Sequence, residues 1–353
     1  MKILVSQAEL SHALRAVSRA VSNGRSHPIL AGVLLDAADG TLRLTTYDLE
    51  MGIRTSIAAA VEAPGSVVVP HRLLSDITGR MDGSEALSMA TDGTRLTLEA
   101  GGGSYSLSVA SAEDFPALPA VDMAAGAPVD ITAALAAVMP AVATDASKQL
   151  LTGVHVVIGS GAIRIEATDG HRMSSRVVDC DAPPMDAIIP ARVLQQVRQP
   201  AVIAVDNRQA GIVLADGTTI ISATLEGTYP NVKALIPESF AQVLTVKRSA
   251  LLQSLERVAV IADSHNSIVK LEATGKVLRV GSEAEANSGS ESVACDGKLP
   301  TLCANVHYLI DGIKGISGDT LQIKTNTATS PVVFTSDPDV NSLYLVMPVQ
   351  VRS

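Results

Sequence analysis

Three stretches of similar pattern recur along the chain: VLLDAADGTLRLTTYD (33–48), VHVVIGSGAIRIEATD (154–169) and IVKLEATGKVLRVGSE (268–283). In each stretch, apolar and polar residues alternate on both sides of a turn that contains Gly or Asp-Gly. Alternation with a period of two around such a turn predicts a pair of antiparallel strands. Leu44, Ile165 and Val280 are predicted to hold equivalent places in the three hairpins.

An amphipathic helix precedes each hairpin, and the three helices are predicted at 7–21, 131–143 and 249–262. In the first, Leu10, Leu14 and Val17 recur at helical spacing and define one apolar face.

A second helix and a second hairpin follow each first hairpin. The second helices are predicted at 70–81, 190–197 and 304–313, with equivalent residues Leu73, Val193 and Tyr308. The second hairpins are LSMATDGTRLTLEA (87–100), AVIAVDNRQAGIVLA (201–215) and LQIKTNTATSPVVFTS (321–336).

The order helix, hairpin, helix, hairpin thus recurs three times, about 115–120 residues apart. A chance match of Ala- and Val-rich strands would not repeat that order in register. We predict an α+β fold of three tandem copies, each with two helices and antiparallel sheet. The predicted domains are 1–122, 128–240 and 244–353.

Composition and motifs argue against most kinds of catalytic or metal site. The three cysteines lack C-x-x-C spacing, so we expect neither a zinc site nor a disulfide framework. The chain has no G-x-x-x-x-G-K-[ST], H-E-x-x-H or G-x-S-x-G motif, and we expect no cofactor and no metal. Asp169 and His171 could form an acid–base pair, although no partner nucleophile is evident. An enzyme that uses this pair stays open as an alternative.

Charge is distributed unevenly between the predicted helices and the rest of the chain. The net charge is −9, yet the predicted helices taken with their flanking residues carry +5 and the remainder −14, counted over 6–22, 71–81, 130–148, 190–198, 247–262 and 304–315. Solvated helix faces would explain any single basic residue. Together, positive helices on an acidic protein indicate one surface for a polyanion. Because aromatic residues are only 2% of the chain, contact with a duplex backbone is favoured over stacking on single-strand bases.

The ends and apolar stretches suggest no membrane or export segment. The start, MKILVSQAEL, lacks the apolar core of a secretory signal, and the apolar stretch 131–143 is short and contains Pro140. We expect no membrane association and a cytoplasmic location.

Several motifs resemble the bacterial sliding clamp, the DNA polymerase III beta subunit family. They are HPILAGVLLDA (27–37), LTTYDLEMGIR (44–54), VVVPHRLLSDI (67–77), DFPALP (114–119), IEATDGHRMS (165–174), GTYPNVKALIP (227–237) and YLVMPVQV (344–351). The resemblance implies a clamp fold in which the three domains form a half-ring. Two chains would close head to tail around duplex DNA, with helices lining the hole and no enzymatic activity.

The resemblance also implies the partners of the ring. Double-stranded DNA would be bound without sequence preference. The DNA polymerase III catalytic subunit and other polymerases or repair proteins would dock through short peptides, and an ATP-dependent clamp loader would place the homodimer on DNA.

The DNA-facing set combines basic helix residues with positions that the resemblance implies. The set is Arg15, Arg19, Arg25, Arg72, Arg80, Lys148, Gln149, Arg192 and Arg198. The loop at 147–151 departs from the family, which often carries aromatic residues where this chain has Gln149 and Leu150. A clamp-like adaptor that binds partner peptides but no longer loads on DNA is therefore a second alternative.

By resemblance, partner peptides insert apolar anchors into a groove between the second and third domains. The matching positions are Thr168, Gly170, His171, Arg172, Met173, Pro230, Leu235, Leu345, Met347, Pro348 and Val349. Packing of Met173 and Met347 in domain cores is the simpler interpretation without the resemblance. The tail 350–353 runs past the place where relatives end, which we expect to alter partner preference.

By resemblance, the dimer closes between Tyr105 and Leu107 of the first domain and Val260 and Ile261 of the third. Relatives carry arginines that flank the first of these strands, where this chain has Gly102 and Ser104. We therefore expect apolar contact to carry more of the interface than is usual in this family.

Overall fold

The computed structural model describes residues 1–83, 86–262, 267–284, 287–337, 339 and 341–350. Residues 351–353, on which the altered partner preference was predicted, lie outside this set. Across the described residues every strand pairing is antiparallel, and each copy consists of two successive β-α-β-β-β units.

The first copy contains the elements β1 (Lys2–Ser6), α1 (Gln7–Val17), β2 (Gly32–Ala38), β3 (Thr41–Tyr47), β4 (Met51–Ala58), β5 (Ala60–Ala63), β6 (Gly65–Pro70), α2 (His71–Thr78), β7 (Ala86–Thr91), β8 (Arg95–Ala100) and β9 (Gly103–Ser108). Here the short β5 is additional to the two units.

The second copy contains the elements β10 (Ala127–Val129), α3 (Thr132–Val138), β11 (Gly153–Gly159), β12 (Ala162–Thr168), β13 (Arg172–Asp179), β14 (Met185–Pro190), α4 (Ala191–Leu194), β15 (Ala201–Asp206), β16 (Gln209–Leu214) and β17 (Thr219–Ala223).

The third copy contains the elements β18 (Gln242–Lys247), α5 (Arg248–Ala259), β19 (Ile268–Thr274), β20 (Val277–Ala284), β21 (Asn287–Gly297), β22 (Leu302–Asn305), α6 (Val306–Gly315), β23 (Thr320–Thr325), β24 (Val332–Asp337) and β25 (Ser342–Val346).

The predicted helices and hairpins are all present, but several helices are shorter than predicted. The α-helical part of the second copy's first helix ends at Val138, and a 3-10 turn over Met139–Ala141 contains Pro140. Proline has no N–H to donate to the preceding turn, which is why the helix tightens there. The helix predicted at 190–197 is the single turn α4.

The apolar positions predicted to match in the first hairpins occupy the same place in the core. Leu44, Ile165 and Val280 are each fully buried, and each faces a buried residue on the neighbouring strand. The second predicted set does not match in burial, since Leu73 is 51% exposed whereas Val193 is buried. The next residue in each second helix (Leu74, Leu194 or Leu309) is buried in all three copies. Burying a leucine side chain contributes about 1.5–3 kcal/mol.

The chain divides into two compact units, each with its own sheets. The first unit comprises Met1–Val129 and Gln199–Thr224, and the second comprises Asp130–Arg198 and Leu225–Ser353. The first unit holds a five-stranded sheet, β5-β1-β7-β8-β9, and an eight-stranded sheet, β10-β15-β16-β17-β4-β3-β2-β6. The second unit holds a twelve-stranded sheet, β14-β11-β12-β13-β25-β24-β23-β18-β21-β20-β19-β22.

Neighbouring copies are joined by strand pairing at two junctions. In the first unit β4 pairs with β17, so that Ile53 faces Ile220. In the second unit β13 pairs with β25, so that Ser174 faces Tyr344. Each junction therefore joins the fourth strand of one copy to the last strand of the next copy.

Candidate partner groove and nucleic-acid interface

The loop that leads into the second junction is fixed by a single carboxylate. Asp169 Oδ1 accepts hydrogen bonds from the backbone N–H groups of His171 (2.8 Å) and Arg172 (3.0 Å). Gly170, between Asp169 and His171, has φ +93°, a backbone conformation that favours glycine. Thr168 is buried and donates its hydroxyl hydrogen to the Arg172 carbonyl oxygen (2.7 Å). The loop therefore has a defined shape at the mouth of the predicted groove.

Arg172 links the second and third copies. Its Nε donates to Asp169 Oδ2 (3.0 Å), and its Nη1 donates to Asp311 Oδ2 (2.7 Å). The guanidinium also lies 4.2 Å from the ring centroid of Tyr308, a cation–π distance. Two carboxylates and an aromatic ring already occupy this side chain, so its first role is to hold the groove together.

The floor of the predicted groove is an apolar cluster at the second junction. Met173 faces Leu345 across the strands, and both are buried together with Tyr229, Ile188 and Val333. Met347 is partly buried against this cluster, and its backbone N–H donates to the His171 carbonyl oxygen (2.9 Å).

The remaining predicted groove residues lie at the rim or apart from the cluster. Pro230 is exposed next to Tyr229, and Val349 is 37% exposed. Pro348 is half-buried, and His171 and Gly170 are exposed. Leu235 is 52% exposed and does not belong to the cluster, whereas its neighbour Ile236 packs there.

A histidine beneath the groove escaped the sequence analysis. The ring nitrogens of His155 lie 2.8 Å from Glu166 Oε1 and 2.8 Å from Asp186 Oδ1. The same ring stacks on Tyr229 with centroids 4.9 Å apart, and the Tyr229 hydroxyl accepts the backbone N–H of Thr168 (3.1 Å). His155 thereby positions a groove residue.

The two carboxylates set the charge of this histidine. Burial opposes the charged form of His155, but the hydrogen bonds and charges of Glu166 and Asp186 outweigh it, so the pKa of His155 is raised. The facing pair His155–Glu166 could have been found from the sequence, because the hairpin turn at 159–162 fixes that register.

Arg176 is a second residue that the sequence analysis missed. It is buried, and its guanidinium donates to the carbonyl oxygens of Ser175 (2.7 Å), Leu343 (3.2 Å) and Gly315 (2.8 Å). Burial lowers the pKa of Arg176 to about 10. The side chain therefore ties β13 to β25 and to the end of α6.

The predicted DNA-facing residues of the first unit are exposed to solvent. Arg15 lies on α1, and Arg19 lies in the 3-10 turn Ser18–Ala20 that follows it. Arg72 and Arg80 flank Asp76 on α2, at 3.8 Å and 3.4 Å. Arg25 is exposed in the segment that follows the first helix. One carboxylate therefore partly neutralises two of these cations.

In the second unit the predicted cations have different surroundings. Lys148 Nζ donates to the Asp169 carbonyl oxygen (2.8 Å), so this side chain is bound to the groove loop. Gln149 and Arg198 are exposed, and Arg192 is half-buried on α4.

Basic residues of the third copy that contributed to the positive helix charge are engaged. Arg257 makes two hydrogen bonds to Glu291 (2.7 and 2.8 Å) and Lys314 binds Glu256 (2.8 Å). Arg248 Nε donates to the Gly318 carbonyl oxygen (2.7 Å).

The four predicted dimer residues fall on two separate elements. Tyr105 (42% exposed) and Leu107 (8%) lie on β9, an edge strand of the five-stranded sheet. Val260 is 84% exposed directly after α5, and Ile261 follows it, half-buried.

The described residues contain neither a membrane-spanning helix nor a metal-binding cluster. No helix among them is long and apolar enough to cross a bilayer. Nor do the described residues include a group of three or more His, Cys, Asp or Glu side chains that could hold a metal ion.

Comparison with known proteins identifies the family. Models of the DNA polymerase III beta subunit match at residues 1–119 (N-terminal domain), 129–231 (central domain) and 233–350 (C-terminal domain). The beta sliding clamp of Synechococcus elongatus is 35% identical over 375 residues, with 100% of both chains covered. That of Streptomyces coelicolor is 29% identical over 374 residues, with 99% of both chains covered.

Solved structures agree with the fold. The sliding clamp of Bacillus subtilis superposes with a TM-score of 0.94 at 22% identity, over 100% of both chains. A clamp of Pseudomonas aeruginosa bound to griselimycin gives a TM-score of 0.91 at 21% identity, over 99% of this chain and 100% of that chain.

The chain belongs to the DNA polymerase III beta subunit family, the bacterial sliding clamps. Members of this family are replication processivity factors without enzymatic activity, so the clamp prediction is confirmed and the alternative of an enzyme built on Asp169 and His171 is wrong.

Proposed function

We propose that two copies of this chain close head to tail into a ring around duplex DNA and tether polymerases to it. Each chain contributes a half-ring of three domains, 1–122, 128–240 and 244–353, with two helices in each. The observation that carries the proposal is the repeated junction, in which the fourth strand of one copy pairs with the last strand of the next copy. Among the described residues, two strands have no such junction partner: β21, the fourth strand of the third copy, and β9, the last strand of the first copy.

The repeat defines which residues of these two strands correspond to the junction pairs. Tyr105 faces Leu98 within its hairpin, as Ile220 faces Ile212 and Tyr344 faces Phe334. On the other strand, Gly289 faces Ser282, as Ile53 faces Thr46 and Ser174 faces Ala167.

The junctions pair Ile53 with Ile220 and Ser174 with Tyr344. The same register would put Tyr105 of one chain opposite Gly289 of a second chain, and two junctions of this kind would close a ring of two chains. Because each chain offers one strand of each kind, a head-to-tail pair of chains satisfies both.

Side chains on the edge strand β9, and on the part of β21 that precedes its pairing with β18 at Cys295–Gly297, support an apolar closure. A Cβ atom at Gly289 would lie 3.1 Å from Cγ1 of Ile261, so Ile261 covers this glycine. Tyr105 opposite Gly289 would therefore meet Ile261 and the exposed Val260. Gly102 and Ser104 on the Tyr105 side carry no charge, which leaves apolar burial as the main contribution.

The DNA contact we propose is electrostatic and blind to sequence. Arg15, Arg19, Arg25, Arg72 and Arg80 from the first domain, with Arg192 and Arg198 from the second, would face the phosphates. Such contacts attract the duplex without fixing a register, so they permit sliding. Lys148 and Gln149 would approach the DNA from the loop beside the partner groove.

Partners would dock by inserting apolar peptide anchors over Met173, Leu345 and Met347. Methionine and leucine side chains form an adaptable apolar surface, which suits a groove that serves several partners. The partners we propose are the DNA polymerase III catalytic subunit and other polymerases or repair proteins. An ATP-dependent clamp loader would open the ring, and the protein would act in the cytoplasm.

Retention on DNA tests this function directly. With loader and ATP present, the protein should remain on circular duplex DNA and leave linear duplex DNA through its ends. Equal retention on both forms would favour an adaptor that does not encircle DNA.

A further inference from the structure

The two junctions share more than their strand register. At the second junction Met173 faces Leu345 across the paired strands, and at the first junction Gly52 faces Ile221 in the same way. Leu345 and Ile221 are both buried, at 2% and 7% exposure. The first junction therefore contains the strand floor of a second groove.

The loop that leads into each junction is also the same. Asp48 Oδ1 accepts hydrogen bonds from the backbone N–H groups of Glu50 (3.0 Å) and Met51 (2.7 Å), as Asp169 does in the second copy. Leu49 stands where Gly170 stands and adopts φ +76°, although it carries a side chain. This strained conformation in a leucine shows that the loop geometry is imposed by its surroundings.

An aromatic residue in each linker between copies packs beside the corresponding junction. Phe115 and Tyr229 are each 7% exposed and each precedes a proline. Phe115 packs in one apolar cluster with Val68, and Tyr229 packs in one with Ile188. Val68 and Ile188 occupy equivalent places in β6 and β14, two residues before the proline that ends each strand.

The junctions differ at one contact. A Cβ atom at Gly52 would lie 3.3 Å from Cγ and Cδ1 of Leu118 and closer still to Cδ2, so Leu118 rests directly on this glycine. At the second junction the equivalent place is taken by the side chain of Met173. The chain's own linker thus supplies an apolar anchor to the first groove.

Linker length explains why only one linker does this. The first linker has two residues between Pro116 and Pro119, whereas the second has six between Pro230 and Pro237. The longer linker forms a 3-10 turn at Val232–Leu235 and leaves Leu235 52% exposed.

We propose that Gly52 and Leu118 decide which of the two equivalent grooves accepts a partner: Leu118 occupies the first groove as a partner's leucine anchor would, and only the second groove is open. The inference rests on the proposed peptide-binding role of the second groove. The ligand class of an unblocked first groove is a peptide with a branched apolar anchor.

The unblocked first groove should bind more weakly than the second groove. Glu50 and Met51 stand where His171 and Arg172 stand, so the first groove lacks the positive charge of Arg172 and the side-chain hydrogen-bond donors of both residues. Loss of one charge-assisted hydrogen bond corresponds to roughly a ten- to hundredfold weaker affinity.

The number of griselimycin molecules bound per chain, measured by titration calorimetry and native mass spectrometry, tests the proposal. The unmodified protein should bind one, and Leu118→Ala should bind two. One molecule bound to a folded Leu118→Ala variant would overturn the proposal. No binding to the unmodified protein would instead contradict the peptide-binding role of the second groove.

Three further variants keep the test decisive. Leu118→Met keeps an apolar side chain of similar size over Gly52, although an unbranched one, and should bind one molecule. Leu4→Ala is the matched control: it makes the same substitution at a leucine of the first unit that is 43% exposed and does not contact Gly52, and it should also bind one molecule. If Leu118→Ala fails to fold, Leu118→Val removes a single methylene and should show a weak second site, and its absence would overturn the proposal.

Discussion

Ser174 faces Tyr344 across the junction of the second and third copies, and Ile53 faces Ile220 across the junction of the first and second. Two junctions with one register mean that the copies are joined by the same rule. Because β9 and β21 carry the matching positions, that rule predicts how a second chain is added. Ring closure then needs no element that the chain does not already contain.

Replacing Tyr105 should weaken the dimer. This side chain is 42% exposed in the isolated chain and would be buried against Ile261 and Val260 of the second chain. Tyr105→Ala should raise the dimer dissociation constant by about 30-fold or more, the effect of losing about 2 kcal/mol at an aromatic anchor. Sedimentation over a concentration series measures this, with Tyr105→Phe as the matched control.

Salt separates an apolar interface from a charged one. We expect the dimer to survive a rise in sodium chloride from about 0.1 to 1 M, over which the screening length falls from about 10 to 3 Å. Dissociation by salt alone would show that ion pairs, rather than Tyr105 and Val260, carry the interface.

His155 should make the groove sensitive to pH. Its folded-state pKa is raised because hydrogen bonds to Glu166 and Asp186 outweigh burial. A raised pKa means that the histidine's contribution to stability is complete below its unfolded value of about 6.5 and is lost as pH rises through the folded value.

Urea midpoints measured between about pH 6 and pH 9 should therefore fall with rising pH in the unmodified protein. His155→Asn should be less stable at the acidic end and should lose this part of the pH dependence. An unchanged slope in the variant would contradict the assignment. Griselimycin affinity should follow the same trend if His155 positions Tyr229 and Thr168.

Asp76 should reduce the attraction of the first domain for DNA. It lies 3.8 Å from Arg72 and 3.4 Å from Arg80. Asp76→Asn should free both cations and steepen the salt dependence of duplex binding, by up to about one phosphate contact. Fluorescence anisotropy with a short duplex measures this. Glu99→Gln, the same charge change on β8, should leave the salt dependence as it is.

Removing Arg176 should destabilise the second unit. The buried guanidinium makes bonds to three carbonyl oxygens, two of them beyond its own strand. Arg176→Ala should lower the free energy of unfolding by about 3 kcal/mol, because buried carbonyls lose their donors. Arg43→Ala, which removes an exposed ion pair with Asp36, should change it by about 0.5 kcal/mol or less.

The local pattern of the fold was predictable from the sequence. Alternation around each turn placed Leu44, Ile165 and Val280 in equivalent buried positions, since strand period and turn chemistry are local properties. Helix ends were less predictable: Pro140 tightens its helix for a local reason, the missing N–H, whereas local pattern did not predict that α4 is a single turn.

Contacts between copies could not be predicted from local patterns. Lys148 was predicted to face DNA and Arg176 was not singled out, yet Lys148 is bound to Asp169 and Arg176 is buried against Gly315. Such contacts depend on strand pairing between residues far apart in sequence. Leu118 likewise showed no sequence signal beyond being an apolar linker residue, and only its contact with Gly52 indicates a role.

Disulfide trapping between Tyr105→Cys and Gly289→Cys tests ring closure most directly. Residues facing each other in antiparallel strands have Cα atoms about 4.5–5.5 Å apart, within the range that a disulfide can span. The double variant, oxidised after loading, should run as a covalent dimer and stay on circular DNA in denaturant. A partner shifted by two residues, Glu291→Cys with Tyr105→Cys, should cross-link poorly. Monomers alone, or equal cross-linking of both pairs, would contradict the closure of β9 on β21.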